Sequence, residues 1–525
     1  MRALDDQTQD PSTFEVVVVD AGSTDPTPQL LAGLETRFAL HVVRLEEVDE
    51  TAALAGAVAA SRGRVCIFLG PDVAATPELV GAHLAAHAGS ERLVGIGGLT
   101  QEVPGDLGWY ARARAIAWNR RSESWIEQNL GWPQVHAENL SVTRSALDEV
   151  GGLTSSRAGG PAVIAELTFR LERAGYVARY LADAHGIRRS EKEGRQLIAE
   201  RADEGAAHAD LSSRNQAMTP RLLGWFTDTT PREVIFRRLV LALRVRPGML
   251  APLGRLVPGE GSKQQWFTFV SNFAYWDAVR RRLAPHEWRQ LARGVPVLLY
   301  HAFSEDDESS RFVVTRRVFA RHMRLLSLLR FKVLPYGEFA RLICDGQLPP
   351  PRTAVLTVDD GYADTGDIAA AILERYGFGA TIFLVSGRLG AVNDWSRAAP
   401  LRGRELLSME QLDPLRRRGI EFGAHTRTHP CLPDVADETV TEEVESSRLD
   451  LEQALQAPIR TFAYPYGRLD DRTVAAVRRA GFLSACTTEP RLARLDDDPL
   501  LIPRLEIKGG ESLWRFLGKV WFGWA

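Results

Sequence analysis

Two acidic residues and two histidines, placed where predicted strands end, constrain this chain more than any other feature. The apolar run 352–356 leads into Thr357-Val-Asp-Asp-Gly361, and the run 420–424 leads into His425-Thr-Arg-Thr-His429. Adjacent side chains at a strand end point in different directions, so one carboxylate can bind a metal while its neighbour faces a water on that metal. One carboxylate with two imidazoles is the open ligand set of a hydrolytic metal centre. We therefore expect a divalent ion, with zinc favoured over cobalt, nickel or another ion.

Length and composition limit the remaining possibilities. A chain of 525 residues is too long for one hydrophobic core, so two or more domains are expected. The net charge of -3 gives no reason to expect a nucleic-acid partner. None of the cysteines forms a Cys-x-x-Cys pair, which argues against a cysteine zinc site or a disulfide framework. Residues 1–13 do not resemble a signal peptide, and no long uncharged apolar run predicts a membrane span, so we expect a cytoplasmic protein.

The amino-terminal half, residues 1–214, has an α/β pattern. The β-branched run Phe14–Val19 predicts a buried parallel strand that ends at Asp20, in a polar loop. A second apolar run, Arg64–Leu69, ends at Gly70-Pro71-Asp72. In open α/β sheets, ligands bind at the carboxyl ends of the strands. Asp20 and Asp72 are therefore the candidate ligand-binding residues of this half.

This half resembles the family 2 glycosyltransferases. Val16–Asp25 is similar to the family's nucleotide-binding strand, and Phe68–Asp72 stands where the family has a metal-binding Asp-x-Asp. Glu138–Val142 and Val150–Leu153 are similar to its acceptor-side segment. The resemblance implies a GT-A-like, Rossmann-like fold, with Asp20 and Asp72 near a nucleotide sugar.

The departures from that family's pattern concern its titratable groups. The first aspartate of Asp-x-Asp is Gly70, and a lone Asp72 is a poor ligand set for an ion on a diphosphate. Val163 and Ile164 stand where the family has its catalytic Glu-Asp, and neither can accept a proton from a hydroxyl. We therefore expect a degenerate domain without transferase activity.

A histidine pair on a predicted helix offers a second metal-site hypothesis. His83 and His87 are four residues apart, so they share one helix face. Leu84 stands where a zinc metalloprotease motif has its glutamate, and no third ligand is evident. We interpret the pair as a solvated helix face.

Residues 215–293 are predicted to form a helical connector. Residues 231–256 mix apolar side chains with arginines, a pattern that fits a basic amphipathic helix at a membrane surface. The aromatic-rich stretch 266–276 follows. The alternative is an inter-domain helix pair whose aromatic residues pack onto both domains. We favour this packing interpretation and keep peripheral contact with the inner face of the membrane as the alternative.

Strands and helices alternate again in residues 294–525. Predicted strands end at His301, at Val358, at His425 and at Pro465. Repeated βα units predict a (β/α) barrel or a relative of one, whose active site lies at the carboxyl ends of the strands. The candidate residues fall at such ends.

This half resembles the NodB-type polysaccharide deacetylases, carbohydrate esterase family 4. Residues 357–361, 425–430 and 462–467 match three of the family's motifs in order. The resemblance implies a distorted (β/α) barrel that removes acetyl groups from a carbohydrate. It implies these roles: Asp359 as general base, Asp360, His425 and His429 as metal ligands, and the backbone N–H of Tyr466, after Pro465, as oxyanion donor.

Two departures concern the proton donor and the orientation of the base. Arg504 stands in the late motif where many family members have the histidine that serves as the general acid. Arginine stays charged, so it cannot donate that proton. His301, in a Tyr-His pair similar to that of the exopolysaccharide de-N-acetylases, is therefore the predicted general acid. Ala463 replaces the arginine that holds the catalytic aspartate in many members, and Arg504 is the candidate to take that role. His322 is interpreted as a surface residue.

Together these features predict a metal-dependent deacetylase acting on an N-acetylated glycan or a lipid-linked sugar, with an inactive glycosyltransferase-like domain. A bifunctional enzyme that transfers a sugar and deacetylates it is the second hypothesis. A non-catalytic glycan-binding scaffold is the third.

Overall fold

The computed structural model describes residues 1–46, 50–90, 92–102, 108–125, 129–132, 138–153, 160–189, 192–226, 231–242, 245–292, 294–306, 310–396 and 401–523. The chain divides into two compact units. Unit 1 comprises residues 1–218 and 240–283, and unit 2 comprises residues 219–239 and 284–525. The predicted connector is therefore shared between the units. Within the described residues, no helix has the length and apolar character that crossing a bilayer requires.

The described residues of unit 1 form two sheets. Its strands are β1 Glu15–Asp20, β2 Ala39–Arg44, β3 Val65–Leu69, β4 Val73–Ala75, β5 Leu93–Glu102, β6 Asn129–Leu130, β7 Asn139–Thr143 and β8 Val177–Arg189. Strands β1 and β2 pair in parallel, and the other strands form a mixed sheet in the order β3-β7-β5-β8-β4, with β6 beside β8.

The helices of unit 1 cover these sheets and form a helical layer of their own. They are Arg2–Asp5, Thr27–Ala32, Glu50–Ala60, Leu79–Ala88, Trp109–Glu123, Arg144–Glu149, Gly160–Arg173, Gly194–Arg214, Pro247–Leu250 and Glu260–Arg282. Helix Glu260–Arg282 carries the predicted aromatic stretch and buries Phe267, Phe273, Tyr275 and Trp276. The basic stretch forms helix Pro231–Ala242, and Pro247 begins a separate short helix, since proline interrupts a helix.

Unit 2 is a curled, open barrel of parallel strands. Its strands are β9 Val297–Tyr300, β10 Ala302–Ser304, β11 Val313–Thr315, β12 Lys332–Pro335, β13 Thr353–Val358, β14 Ala380–Leu384, β15 Ile420–Ala424, β16 Thr461–Ala463, β17 Ser484–Cys486 and β18 Leu505–Glu506. The main sheet has the order β17-β16-β15-β14-β13-β9-β18, and β12 also pairs with β13. All of these pairings are parallel, so the carboxyl ends of the strands meet at one edge. The predicted α/β fold class, with a distorted barrel in this half, is confirmed.

Helices cover the outside of this barrel. They are Thr219–Leu223, Pro285–Leu291, Arg316–Leu328, Tyr336–Cys344, Ala370–Tyr376, Met409–Arg417, Asp437–Leu455, Asp471–Arg479 and Leu513–Phe522. The core lies between them and the strands, where side chains such as Leu356, Ile382, Val444 and Phe462 are fully buried. A strand covered on both faces is buried and mainly apolar along its length, as β13 is. The polar residues that follow such strands are thus held on a rigid scaffold.

Candidate active site

The paired aspartates follow a sharp change of backbone direction after β13. Asp360 has φ 70° and Gly361 has φ 73°. A Cβ at position 361 would lie 2.7 Å from Cδ2 of Leu384, so any other residue there would have to displace that side chain as well as adopt a positive φ. Asp359 and Asp360 are buried, and the backbone N–H of Asp359 donates to the carbonyl of Tyr300 over 3.0 Å.

The two histidines belong to a loop that is closed by its own hydrogen bonds. The backbone N–H of His429 donates to Oγ1 of Thr426 over 3.0 Å. Glu443, on helix Asp437–Leu455, accepts hydrogen bonds from the backbone N–H groups of Arg427 and Thr428, each over 2.8 Å. The loop between the histidines is therefore tied to a helix that is packed into the core.

The structure brings the three predicted metal ligands together. Oδ1 of Asp360 lies 3.6 Å from Nε2 of His425 and 3.2 Å from Nε2 of His429, and the two Nε2 atoms are 3.2 Å apart. All three side chains are buried. Among the described residues, this is the group of His, Cys, Asp and Glu side chains that could hold a metal ion.

Hydrogen bonding shows that this arrangement suits a cation. Nδ1 of His425 lies 2.7 Å from the carbonyl of Ala463, so Nδ1 carries the hydrogen and Nε2 presents a lone pair. Burial lowers the pKa of His425 to about 4, so the ring is neutral at pH 7. Burial acts to raise the pKa of Asp360, but its hydrogen bond to His429 and the nearby charges hold that pKa well below its ordinary value. A neutral nitrogen lone pair and a carboxylate therefore face one point, which fits a divalent ion.

The second aspartate has a different partner. Arg504 donates Nη1–H and Nη2–H to the two carboxylate oxygens of Asp359, over 2.6 Å and 2.7 Å. Burial acts to raise the pKa of Asp359, but the positive charge of Arg504 holds it below its ordinary value. Arg504 is itself fully buried, and its Nε–H donates to the carbonyl of Thr487. The structure thus places Arg504 where it fixes Asp359 as a charged carboxylate.

His301 and Tyr466 lie on the same cavity as the aspartates. His301 follows β9, and its ring meets Phe312 edge to face at 5.2 Å. Tyr466, in the turn Pro465–Gly467, has φ 59°, and its ring lies 4.7 Å from the ring of His429.

A cavity of about 880 Å³ opens over these groups. Aromatic rings form part of its wall, including Trp395, which stacks on His429 with ring centroids 4.9 Å apart. Cationic side chains also line it, including Arg311, which is paired with Glu506 at 2.9 Å. Such a wall offers flat apolar faces and polar groups together, as a sugar-binding cleft requires.

Left-handed backbone conformations cluster at this site. Asp360, Thr426, His429 and Tyr466 all have φ between 59° and 70°, which L-residues with side chains rarely adopt. Each follows a strand end or lies in the loop after one. The surrounding fold therefore holds these residues in costly conformations, a pattern common at functional sites.

Comparison with known proteins finds a different family for each half. Residues 346–485 match the family described as polysaccharide deacetylase, and residues 2–151 match glycosyl transferase family 2. Residues 346–485 form a polysaccharide deacetylase domain. The amino-terminal half contains a family 2 glycosyltransferase domain. The protein is therefore a hydrolase of the polysaccharide deacetylase type, the class that acts on carbon–nitrogen bonds.

Curated relatives match the deacetylase half. A putative polysaccharide deacetylase, YxkH, of Bacillus subtilis is 25% identical over 218 residues, which is 42% of this chain and 73% of that protein. The poly-beta-1,6-N-acetyl-D-glucosamine N-deacetylase of Staphylococcus epidermidis is 25% identical over 229 residues, covering 42% of this chain and 76% of that protein. Among solved structures, the deacetylase PplD of Streptococcus pyogenes is 24% identical, with a TM-score of 0.39 over 43% of this chain and 98% of that one.

Three histidines that were predicted to be exposed to solvent are buried. His322 is buried in the deacetylase half, stacked on Phe516 at 3.9 Å and 3.2 Å from the hydroxyl of Tyr300, so its interpretation as a surface residue was wrong. His83 and His87 are also buried and both bond to Oγ of Ser141, so their helix face is not solvated. Local sequence did not reveal that other elements cover these helices.

The predicted nucleotide-sugar residues are engaged by protein groups. Asp20 is buried at the end of β1, where it accepts the backbone N–H of Ser23 over 2.8 Å. Nε–H of Arg188 donates to Asp72 over 2.7 Å, and Nη1 of Arg188 lies 2.6 Å from Glu138. Val163 and Ile164 are buried in helix Gly160–Arg173.

Sequence reasoning missed several residues of the deacetylase site. Tyr362, two residues after Asp360, and its hydrogen-bond partner Asn393 are both buried, and Trp395 stacks on a predicted ligand. Tyr362 follows the Asp-Asp-Gly motif directly, which is a usable signal. Asn393 lies 31 residues further along the chain and has no local signal.

Proposed function

We propose that this protein removes acetyl groups from N-acetylated sugar residues of a glycan, with a divalent ion held by Asp360, His425 and His429. The observation that carries this proposal is the convergence of these ligand atoms beside an aspartate that Arg504 keeps charged. A bound ion would polarise the acetyl carbonyl and acidify a water. That chemistry is what hydrolysis of an unreactive acetamide requires.

The chain's own residues would supply the proton transfers. Asp359 accepts the proton of the attacking water, because Arg504 holds it in its charged form and in a fixed orientation. The backbone N–H of Tyr466 stabilises the negative charge that develops on the carbonyl oxygen. His301, on the same cavity, donates a proton to the departing nitrogen.

A polymer of β-linked N-acetylglucosamine is the substrate we propose first. Staphylococcal relatives named for that polymer support it, with 24% to 25% identity over this half. The aromatic wall formed by Phe312, Trp395 and Tyr466 suits stacking against sugar rings. A lipid-linked N-acetylated sugar is the alternative substrate.

Acetate release from N-acetylglucosamine oligomers, with zinc, cobalt or nickel supplied, tests the proposal. We expect stoichiometric metal in the wild type and its loss, together with activity, in Asp360→Ala and His425→Ala. Asp359→Asn should keep the metal and lose acetate release. A protein that binds no metal would support a glycan-binding scaffold, and Asp359→Asn with full activity would contradict the assignment of the base.

For the glycosyltransferase domain, we propose a glycan- or nucleotide-holding role without transfer. The pairing of Asp72 with Arg188 supports this, because the carboxylate is already neutralised. Burial of Val163 and Ile164 also supports it. Nucleotide release from a nucleotide sugar, abolished by Asp72→Ala, would instead favour a bifunctional enzyme.

We also propose a cytoplasmic location with peripheral contact at the inner face of the membrane. Met249, Leu253 and Leu256 are 67%, 45% and 81% exposed, and the exposed Arg246 and Arg255 flank them. Apolar side chains beside cations favour an anionic lipid surface. Co-sedimentation with phosphatidylglycerol vesicles, reduced by Met249→Glu and Leu256→Glu, is the expected result, and absence of binding by the wild type would contradict it.

A further inference from the structure

One buried carboxylate accepts hydrogen bonds from the loop that joins the two histidine ligands. Glu443, on helix Asp437–Leu455, is 7% exposed. Its Oε2 accepts the backbone N–H groups of Arg427 and Thr428, each over 2.8 Å. Its Oε1 accepts the hydroxyl hydrogen of Thr428 over 2.5 Å. Three donors from two consecutive loop residues therefore share a single acceptor side chain on a helix outside the loop.

The carbonyl groups of the same loop are bonded to a different segment, the turn Ser386–Arg388. The backbone N–H of Ser386 donates to the carbonyl of Thr426 over 3.1 Å, and the next N–H, that of Gly387, donates to the carbonyl of Arg427 over 2.9 Å. A Cβ at position 387 would lie 2.7 Å from the carbonyl oxygen of Arg427, so this close approach depends on glycine. The loop backbone is thus bonded to the turn through its carbonyls and to the helix through its N–H groups.

The two histidine rings differ in what holds them. Nδ1 of His425 is hydrogen-bonded to the carbonyl of Ala463 over 2.7 Å. Nδ1 of His429 is buried and has no hydrogen-bond partner among the described residues. The position of the His429 ring is therefore set by its own backbone and by the rings that pack on it, Trp395 and Tyr466.

That backbone has an uncommon conformation. Thr426 and His429 have φ 63° and 67°, and the backbone N–H of His429 donates to Oγ1 of Thr426 over 3.0 Å. Residues with side chains rarely adopt positive φ, and such conformations persist only where the surrounding structure enforces them. The bonds from the loop to Glu443 are among the contacts that enforce this one.

We infer that Glu443 is a positioning residue for the metal site: it fixes the loop backbone and, through that backbone, the direction of the His429 ring. The inference rests on the proposed function, since it concerns a metal that His429 would hold together with Asp360 and His425. Glu443 touches neither substrate nor metal in this assignment. Contacts of this outer kind set ligand geometry and affinity at metal sites.

Glu443→Ala tests the inference, because it leaves the three loop donors without their acceptor. Glu452→Ala is the matched control: Glu452 lies on the same helix, and its carboxylate accepts the backbone N–H of Ile459 over 3.0 Å, outside the histidine loop. Zinc and cobalt affinities are measured on the full chain by competition with a chromogenic chelator. We expect Glu443→Ala to weaken binding by about 10- to 100-fold and Glu452→Ala to leave it within about threefold of the wild type.

Two further variants keep the test decisive if Glu443→Ala folds poorly. Glu443→Gln keeps an oxygen for the two N–H groups, so we expect it to bind metal more tightly than Glu443→Ala. Gly387→Ala displaces the loop from its other contact and should also weaken binding, although Glu443 is intact. Thermal melting of the metal-free proteins checks folding separately.

The visible absorption of the cobalt-loaded chain gives a second measurement, because its bands depend on the geometry of the ligands. We expect the spectrum to change in Glu443→Ala and in Gly387→Ala and to match the wild type in Glu452→Ala. A substitution that only destabilised the helix would lower the melting temperature and leave this spectrum unchanged.

The outcomes separate this inference from the proposed function. Wild-type metal affinity in Glu443→Ala overturns the inference, as does an equal loss of affinity in Glu452→Ala or in Glu443→Gln. A wild type that binds metal but releases no acetate overturns the proposed function, while weaker binding in Glu443→Ala still supports the inference. A wild type that binds no metal overturns both.

Discussion

Arg504 and Asp359 meet through two parallel charge-assisted hydrogen bonds, although 145 residues separate them in the chain. A guanidinium matches a carboxylate in this geometry better than an ammonium does, because its donors form a rigid fork. Since both groups are buried, the aspartate depends on this partner to stay charged. The pair therefore sets the proton affinity of the predicted base.

Replacing Arg504 should change the pH profile as well as the rate. In Arg504→Met the positive charge is lost, so the pKa of Asp359 rises and the carboxylate is charged only at higher pH. We expect kcat/KM to fall by about a hundredfold and its acid limb to move to higher pH. Acetate release measured from pH 5 to pH 9 checks this. Arg316→Met, which removes an exposed arginine paired with Glu305, is the control, and an unmoved acid limb in Arg504→Met would contradict the role.

His322 should make the deacetylase half sensitive to acid. Burial lowers its pKa from 6.5 to about 3. Between about pH 6.5 and pH 3, His322 is therefore protonated in the unfolded chain but neutral in the folded chain. The free energy of unfolding consequently decreases as the pH falls through this range. His322→Gln should flatten the pH dependence of the free energy of unfolding by up to about 1.4 kcal/mol per pH unit.

Urea unfolding of the full chain between pH 7 and pH 4.5 measures that slope. His286→Gln is the control, because His286 is exposed. Equal slopes for the wild type and His322→Gln would contradict the prediction.

The left-handed backbone at Tyr466 predicts a difference between two truncations. Glycine adopts φ 59° without strain and alanine does not. Tyr466→Gly should therefore be more stable than Tyr466→Ala by about 1 kcal/mol, although both lose the ring contact with His429. Thermal melting of the two variants checks this. A glycine variant that is less stable than the alanine variant would show that the left-handed backbone at position 466 does not destabilise a residue with a side chain.

Arg188 should stabilise unit 1 by balancing two carboxylates. Arg188→Met leaves Asp72 and Glu138 close together without their cation. Because these carboxylates are 30% and 29% exposed, water screens part of the repulsion, and we expect a loss of about 1–3 kcal/mol. Adding Glu138→Gln removes one of the two repelling carboxylates, so it should restore part of the lost free energy of unfolding, measured in urea. Equal stability of Arg188→Met and the wild type would show that the pairs contribute nothing.

Local sequence was sufficient for the fold class and for the position of the predicted ligands. Buried parallel strands are apolar along their length, and their carboxyl ends must meet at one edge of a parallel sheet. That geometry placed the aspartate pair and the two histidines at one edge, and the resemblance to the deacetylase family assigned Asp360, His425 and His429 as the ligands. The contact between Arg504 and Asp359 was suggested by chemistry alone, since an arginine cannot serve as an acid.

Burial of polar residues on helices was not predictable in the same way. His83, His87 and His322 lie on helices whose buried face depends on elements distant in the sequence, such as β7 for the first two. Asn393 lies in a loop whose path has no periodic pattern. Such contacts depend on tertiary structure, which local propensity does not contain.

The salt bridges of Arg188 have a practical consequence for experiments on the intact molecule. A side chain, rather than a dissolved ion, neutralises Asp72 and Glu138. We expect a chelator such as EDTA to leave these ion pairs unchanged and to compete for an ion bound by Asp360, His425 and His429. Removing and restoring the metal in one sample should then change the deacetylase half and leave the amino-terminal half as an internal reference.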